Sequence, residues 1–214
     1  MVVGALEDEP APPYRTGAAY VFTRSGTAWS QLQKLTGSGG ADDRSFGSSL
    51  DLSGDTLVVG STATDHSGLD NAGAAYVFTE SGGVWSEQQR LVASDPVGGD
   101  NFGLAALEGD TILVGALNAD VQGVENSGAA YLFTRSGGTW TERQKLIATD
   151  PEAGARLGNA VALTSGIALV GAPWTDAGAV AEAGAVCSYN YAVELFTDGF
   201  ESGDLSAWSA AVGD

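Results

Sequence analysis

An all-β fold of repeated four-stranded units is predicted by three features of the sequence. One motif returns every 55–56 residues, apolar residues alternate within short segments, and glycine stands at the breaks between them. The segment at 17–22, Gly-Ala-Ala-Tyr-Val-Phe, comes back at 73–78 and, with Leu for Val, at 128–133; an altered copy, Gly-Ala-Val-Cys-Ser-Tyr, occupies 184–189. The same phase carries Gly4, Gly60, Gly115 and Gly171 at the ends of Val-rich runs. It also carries Trp29, Trp85 and Trp140, and the pairs Phe46-Gly47, Phe102-Gly103 and Leu157-Gly158. Four short antiparallel strands repeated at about 40–60 residues describe a β-propeller blade, whose sheet buries its faces against its neighbours.

Taken in order, the chain opens with strands at 2–5, 17–23 and 29–35, which are the second to fourth strands of a first blade. A full blade follows at 46–52, 56–61, 73–79 and 84–91, and its pattern is repeated one period later. Gly54-Asp55 and the Ser-Gly pairs near 81 and 136 mark tight hairpins. Residues 157–190 supply strands one to three of a last blade, so the count is fourteen strands. That falls short of the roughly four complete blades a closed ring needs. The expected architecture is a partial propeller, an open arc over 1–192 with both end blades incomplete, followed by a segment at 193–214 that breaks the period. Exposed blade edges predict self-association, and the phase of Met1 within a repeat predicts that the chain is a piece of a longer propeller.

The Phe-Gly pairs, each followed by Val59-Gly60-Ser61, Val114-Gly115-Ala116 or Val170-Gly171-Ala172-Pro173, resemble the FG-GAP repeat of integrin-α-type β-propellers. The resemblance implies modules used in adhesion and ligand binding or attached to enzymes. It does not bring the integrin calcium loop with it, because the connections Ser53-Gly54-Asp55, Glu108-Gly109-Asp110 and Thr164-Ser165-Gly166 are too short to wrap six oxygens around an ion. The stretch at 198–208 looks like a C-terminal segment of secreted bacterial proteins.

Composition narrows the function further. Nine Lys and Arg against 27 Asp and Glu give a net charge of −18, which opposes binding to nucleic acid or to anionic lipid. Gly is abundant at 31 of 214 residues and charged residues make up only 17%, as expected for a chain of many tight turns. The single cysteine, Cys187, excludes an intramolecular disulfide, and no apolar run is long enough for a membrane span. The first residues lack the pattern of an export signal, so an extracellular or cell-envelope location would rest on a signal outside this chain.

Catalytic motifs for a serine nucleophile, a nucleotide loop or a zinc protease are absent. His66 stands alone in its loop and reads as a non-functional loop residue; Cys187 reads as a small buried thiol. The carboxylates Asp65 and Asp70, Asp120 and Glu125, and Asp176 and Glu182 recur in equivalent loops. Repetition argues against a catalytic pair, which is built once per site, and leaves solvated loop acids or weak calcium ligation at Asp65, Asp70, Asp120 and Glu125. The three in-phase tryptophans read as blade packing, whereas Trp174 belongs to no series and is the best candidate for a ligand contact. The expected function is a non-catalytic extracellular binding or adhesion module presenting its loops to a protein or glycan, with no cofactor beyond weak calcium. The alternatives are a propeller module of a larger secreted hydrolase, or a carbohydrate-active enzyme using loop carboxylates.

Overall fold

The computed structural model describes residues 1–9, 16–164, 166–176 and 180–191, and the segment at 193–214 lies outside them. Among the described residues, alternating short apolar segments become fourteen strands in four antiparallel sheets, each sheet a blade with its strands in chain order. The first blade holds β1 (Val2–Glu9), β2 (Thr16–Ser25) and β3 (Ala28–Leu35). The second holds β4 (Phe46–Ser53), β5 (Thr56–Ser61), β6 (Ala74–Ser81) and β7 (Val84–Leu91), and the third holds β8 (Phe102–Glu108), β9 (Thr111–Ala116), β10 (Ala129–Ser136) and β11 (Thr139–Leu146). The last holds β12 (Ala160–Thr164), β13 (Ile167–Ala172) and β14 (Ala185–Asn190). Extensive packing runs only between successive blades, so the described residues form the open arc the period predicts.

The hairpins at 82–83 and 137–138 show why the strands stop where they do. Both central residues of each are glycines, with φ of 61° and 86° in the first and 58° and 83° in the second. Two left-handed residues in a row make the mirror-image turn whose twist matches the strands, and only glycine adopts it without strain.

Packing between blades comes from strands buried on both faces. In β5, Leu57 and Val59 join Ala19, Val21 and Leu35 of the first blade, whereas Val58, one step out of phase, joins the cluster shared with Phe102, Ile112 and Val114 of the third. Phe102 lies edge-on to Tyr131 and Phe133, with ring centres 5.6 and 6.1 Å apart.

A glutamine clamp ties the outer strands. Gln33 Nε2 donates to the Trp85 carbonyl at 2.8 Å and its Oε1 accepts the Trp85 N–H at 2.9 Å. Gln89 repeats both bonds on Trp140 at 2.8 Å. Gln88, the extra residue of a bulge between β6 and β7, also accepts the Trp140 Nε1–H at 2.9 Å. Trp85 and Trp140 are therefore buried as packing residues, while Trp29, which no glutamine clamps among the described residues, remains 49% exposed.

Candidate ligand cleft on the loop rim

An antiparallel blade sorts its connections by end. The two-residue hairpins lie along one rim of the arc, and the long connections at 62–73, 92–101, 117–128, 147–159 and 173–184 gather on the other. Every candidate binding residue named from the sequence lies on this second rim.

The recurring carboxylates first hold their own loops. Asp65, Asp120 and Asp176 each accept, through Oδ1, the N–H six residues on: Asn71 at 2.9 Å, Asn126 at 2.7 Å and Glu182 at 2.8 Å. Asp65 is also ion-paired with Arg44 at 2.7 Å. Asp70 and Glu125 are exposed, and their main-chain carbonyls take the N–H groups of Gly99 (2.8 Å) and Gly154 (3.0 Å), which docks each loop onto the next blade. Asp120 and Glu125 share a cleft of about 200 Å³ with Asp100 and Asn118, and Asp65 is turned away toward Arg44. Among the described residues no group of three His, Cys, Asp or Glu side chains is placed to hold a metal ion.

Trp174 sits where the repeat changes its chemistry. At the junction of the second and third blades the in-phase residues are two asparagines: Asn118 Nδ2 donates to Asn101 Oδ1 at 2.6 Å, and Asn101 Nδ2 donates to the Thr62 carbonyl at 3.0 Å. At the junction of the third and fourth blades these positions are Trp174 and Arg156, with the guanidinium carbon 4.9 Å from the indole centre. Asp100, buried and accepting the Val97 N–H at 3.0 Å, is replaced in phase by Ala155. The cleft widens to about 620 Å³, and its lining includes Asn126, Arg156, Trp174, Asp176 and Glu182.

Trp174 is 40% exposed, and among the described residues the Arg156 guanidinium makes no hydrogen bond or ion pair, only the contact with the indole. An indole face beside free guanidinium donors and two carboxylates can stack on an apolar ligand face and bond the polar groups at its edge. Arg156 was not singled out from the sequence, although comparing residues 45, 101 and 156 in phase, Ser, Asn and Arg, marks the break. His66 is half-buried and exchanges main-chain hydrogen bonds with Leu69, as Val121 does with Val124 one period later, which makes it a turn residue of its loop. Cys187 is half-buried and packs against the core of the last blade.

The FG-GAP repeat profile matches residues 29–78, 85–133 and 140–187. The chain belongs to the FG-GAP repeat family. Each matched FG-GAP unit begins at the outer strand of one blade and ends in the third strand of the next, so a sequence repeat spans a junction, and the clamps from Gln33 to Trp85 and from Gln89 to Trp140 each tie one repeat to the first residue of the next. FG-GAP repeat units are typically non-catalytic and typical of extracellular proteins. No curated protein matches the chain. Among the described residues no helix is long and apolar enough to cross a membrane.

Buried acids under the rim, which sequence reasoning missed, give the FG-GAP arc a pH dependence. Asp43 accepts the Tyr76 hydroxyl and the Gly39 N–H, the latter at 2.8 Å, and Asp100 lies under the smaller cleft. Burial raises both carboxyls above their ordinary value of 3.8, against the opposing pull of their hydrogen bonds. Asp95 goes the other way: partial burial pushes it up, but Lys145 and the Tyr131 hydroxyl outweigh that and hold it low. For a raised carboxyl the stabilisation is fully present below the unfolded-state pKa and is lost as pH climbs through the folded-state value. Urea midpoints of the wild type are therefore expected to fall as pH rises above 3.8, and Asp100→Asn, which keeps an acceptor for Val97, should flatten that fall. Parallel pH profiles of the two proteins would show Asp100 to be without influence.

Proposed function

We propose that this FG-GAP arc is a non-catalytic binding module of extracellular type that presents its loop rim to a protein or glycan, with the Trp174 cleft as the ligand contact. The observation that carries the reading is the in-phase exchange of a hydrogen-bonded Asn101–Asn118 pair for a stacked Arg156–Trp174 pair, which coincides with the wider cleft. Residues that serve the blade recur every period; Arg156 and Trp174 do not. The cleft combines the apolar face that a pyranose or an aromatic side chain covers with the fixed polar groups that orient it. The reading is tested by screening immobilised glycans and extracellular-matrix proteins, then titrating any hit against Trp174→Ala and Arg156→Ala. Trp174→Ala should weaken binding by about tenfold or more, the scale of one lost aromatic contact. Trp29→Ala removes an indole that is, at 49%, somewhat more exposed, at the far end of the arc, and should leave the affinity unchanged. Equal affinities for the wild type and Trp174→Ala would remove the cleft from the ligand site.

A further inference from the structure

The junction of the third and fourth blades departs from the junction before it at three positions that line one cleft. In phase, Asn101 becomes Arg156, Asn118 becomes Trp174 and Asn126 becomes Glu182. The phase of the last pair is fixed by its bonds, since Asp120 accepts the Asn126 N–H as Asp176 accepts that of Glu182. Arg156, Trp174 and Glu182 all line the larger cleft. Asp100 and Glu125, two acids lining the smaller cleft, are replaced in phase by Ala155 and Ala181.

Two of these changes run against the local backbone. Residues 101 and 156 are both left-handed, with φ of 54° and 55°, and so are residues 126 and 182, with φ of 49° and 53°. Asparagine tolerates this region better than other side chains that carry a Cβ, so a long charged residue there costs conformational energy that asparagine avoids. The cost is not returned within the fold. Among the described residues the Arg156 guanidinium touches only the indole, and the Glu182 carboxylate accepts no hydrogen bond and joins no ion pair, although its main-chain N–H is held by Asp176. Backbone strain at side chains with no partner in the protein points to a partner outside it.

We infer that the Trp174 cleft is a subsite for a neutral pyranose, with Arg156 and Glu182 as the residues that select it; the inference rests on the binding-module reading above. The indole supplies a flat apolar face on which the C–H face of a sugar ring stacks. A guanidinium only donates hydrogen bonds and a carboxylate only accepts them, so the edge of the ligand must do both. A hydroxyl does both, and a ring with neighbouring hydroxyls meets Arg156 and Glu182 together without carrying charge. Both residues are exposed, where an ion pair is worth little, so a charged group on the ligand gains little from one of them and is repelled by the other. An acidic sugar is opposed further by the net charge of −18. An aromatic side chain of a protein covers the indole equally well but brings at most one hydroxyl to the edge, against the several of a pyranose.

The probes are the tetrasaccharides of glucose, galactose, mannose and N-acetylglucosamine, with those of galacturonate and glucosamine as charged counterparts, each titrated by calorimetry against the full chain. One-to-one binding of at least one neutral probe is expected, changing by less than about twofold between about 20 and about 500 mM NaCl, because the ligand has no charge to screen. Trp174→Ala, Arg156→Asn and Glu182→Asn should each weaken it by about tenfold or more. The two asparagine variants restore the residues of the preceding junction, so their urea midpoints should equal or exceed that of the wild type. Lower midpoints for both with unchanged sugar affinity would make Arg156 and Glu182 structural residues and overturn the inference. Binding of no neutral probe, tighter binding of a charged one, or a steep loss of affinity with salt overturns it as well. The binding-module reading is decided separately: it stands if a matrix protein from the screen above binds and loses affinity in Trp174→Ala, which would assign the cleft to a protein partner, and the cleft leaves that reading if no ligand depends on Trp174.

Discussion

Gly60→Ala is expected to lower the free energy of unfolding by about 3 kcal/mol or more, a large fraction of the total for a domain of this size. The new methyl would stand 1.8 Å from the Gly103 carbonyl oxygen, a distance no Cβ tolerates, and the obstacle is the backbone of a bulge held on both sides by the ladder pairs of Phe102 and Leu104, which cannot swing aside as a flexible side chain could. Relief requires the second and third blades to separate, which exposes the apolar cluster between them. Gly171→Ala makes the matched control, since the same substitution at the same phase meets only an ordinary contact at 3.4 Å. There the change should lie within about 1 kcal/mol and on the stabilising side, because alanine restricts the unfolded chain at a φ it adopts freely. Urea denaturation of the two variants beside the wild type measures the difference. Similar small shifts for both would mean that blades do not approach as closely at Gly60 as the described distances require.

Phe102→Ala should cost about 3–5 kcal/mol, the usual range for emptying a buried aromatic site. Phe102 is almost wholly buried, packs on the rings of Tyr131 and Phe133, and lays its main chain across Gly73. Phe102→Leu should cost only about 1 kcal/mol, because leucine conserves most of the volume and Leu157 fills the equivalent place one blade later. Since each blade contacts chiefly its neighbours, the loss from Phe102→Ala should be local in first instance. Hydrogen exchange of β4 to β6 and of β8 to β10 is expected to quicken together, while β13 follows less. A cost for Phe102→Ala no larger than that for Phe102→Leu would show that the ring leaves no cavity behind.

The chain displays, in sequence alone, the features that are local and repeated. Alternation over five to eight residues, Gly-Gly at the hairpins and a constant phase for Trp and Phe-Gly are all short-range demands of strand, turn and blade, and they are satisfied where they are written. β4 and β5 begin at the expected residues, and the arc has the fourteen strands counted from the period. Repetition also carried the reasoning on the carboxylates, since Asp65, Asp120 and Asp176 do the same loop-closing work in each blade. Trp174 could be selected because it breaks the pattern, and an in-phase comparison marks Arg156 as well, but that the two side chains stack is decided by the pairing of β12 with β13, which brings the residues before one strand and after the other together. The same holds for Asp43 beneath Tyr76 and for the glutamines that clamp Trp85 and Trp140, whose partners lie 33, 52 and 51 residues away. Burial on both faces of β5 is likewise decided by which sheet lies on either side. A single glycine reads the same in sequence at 60, 115 and 171; only the tertiary structure shows that another blade's backbone lies against the first two and, among the described residues, none against the third.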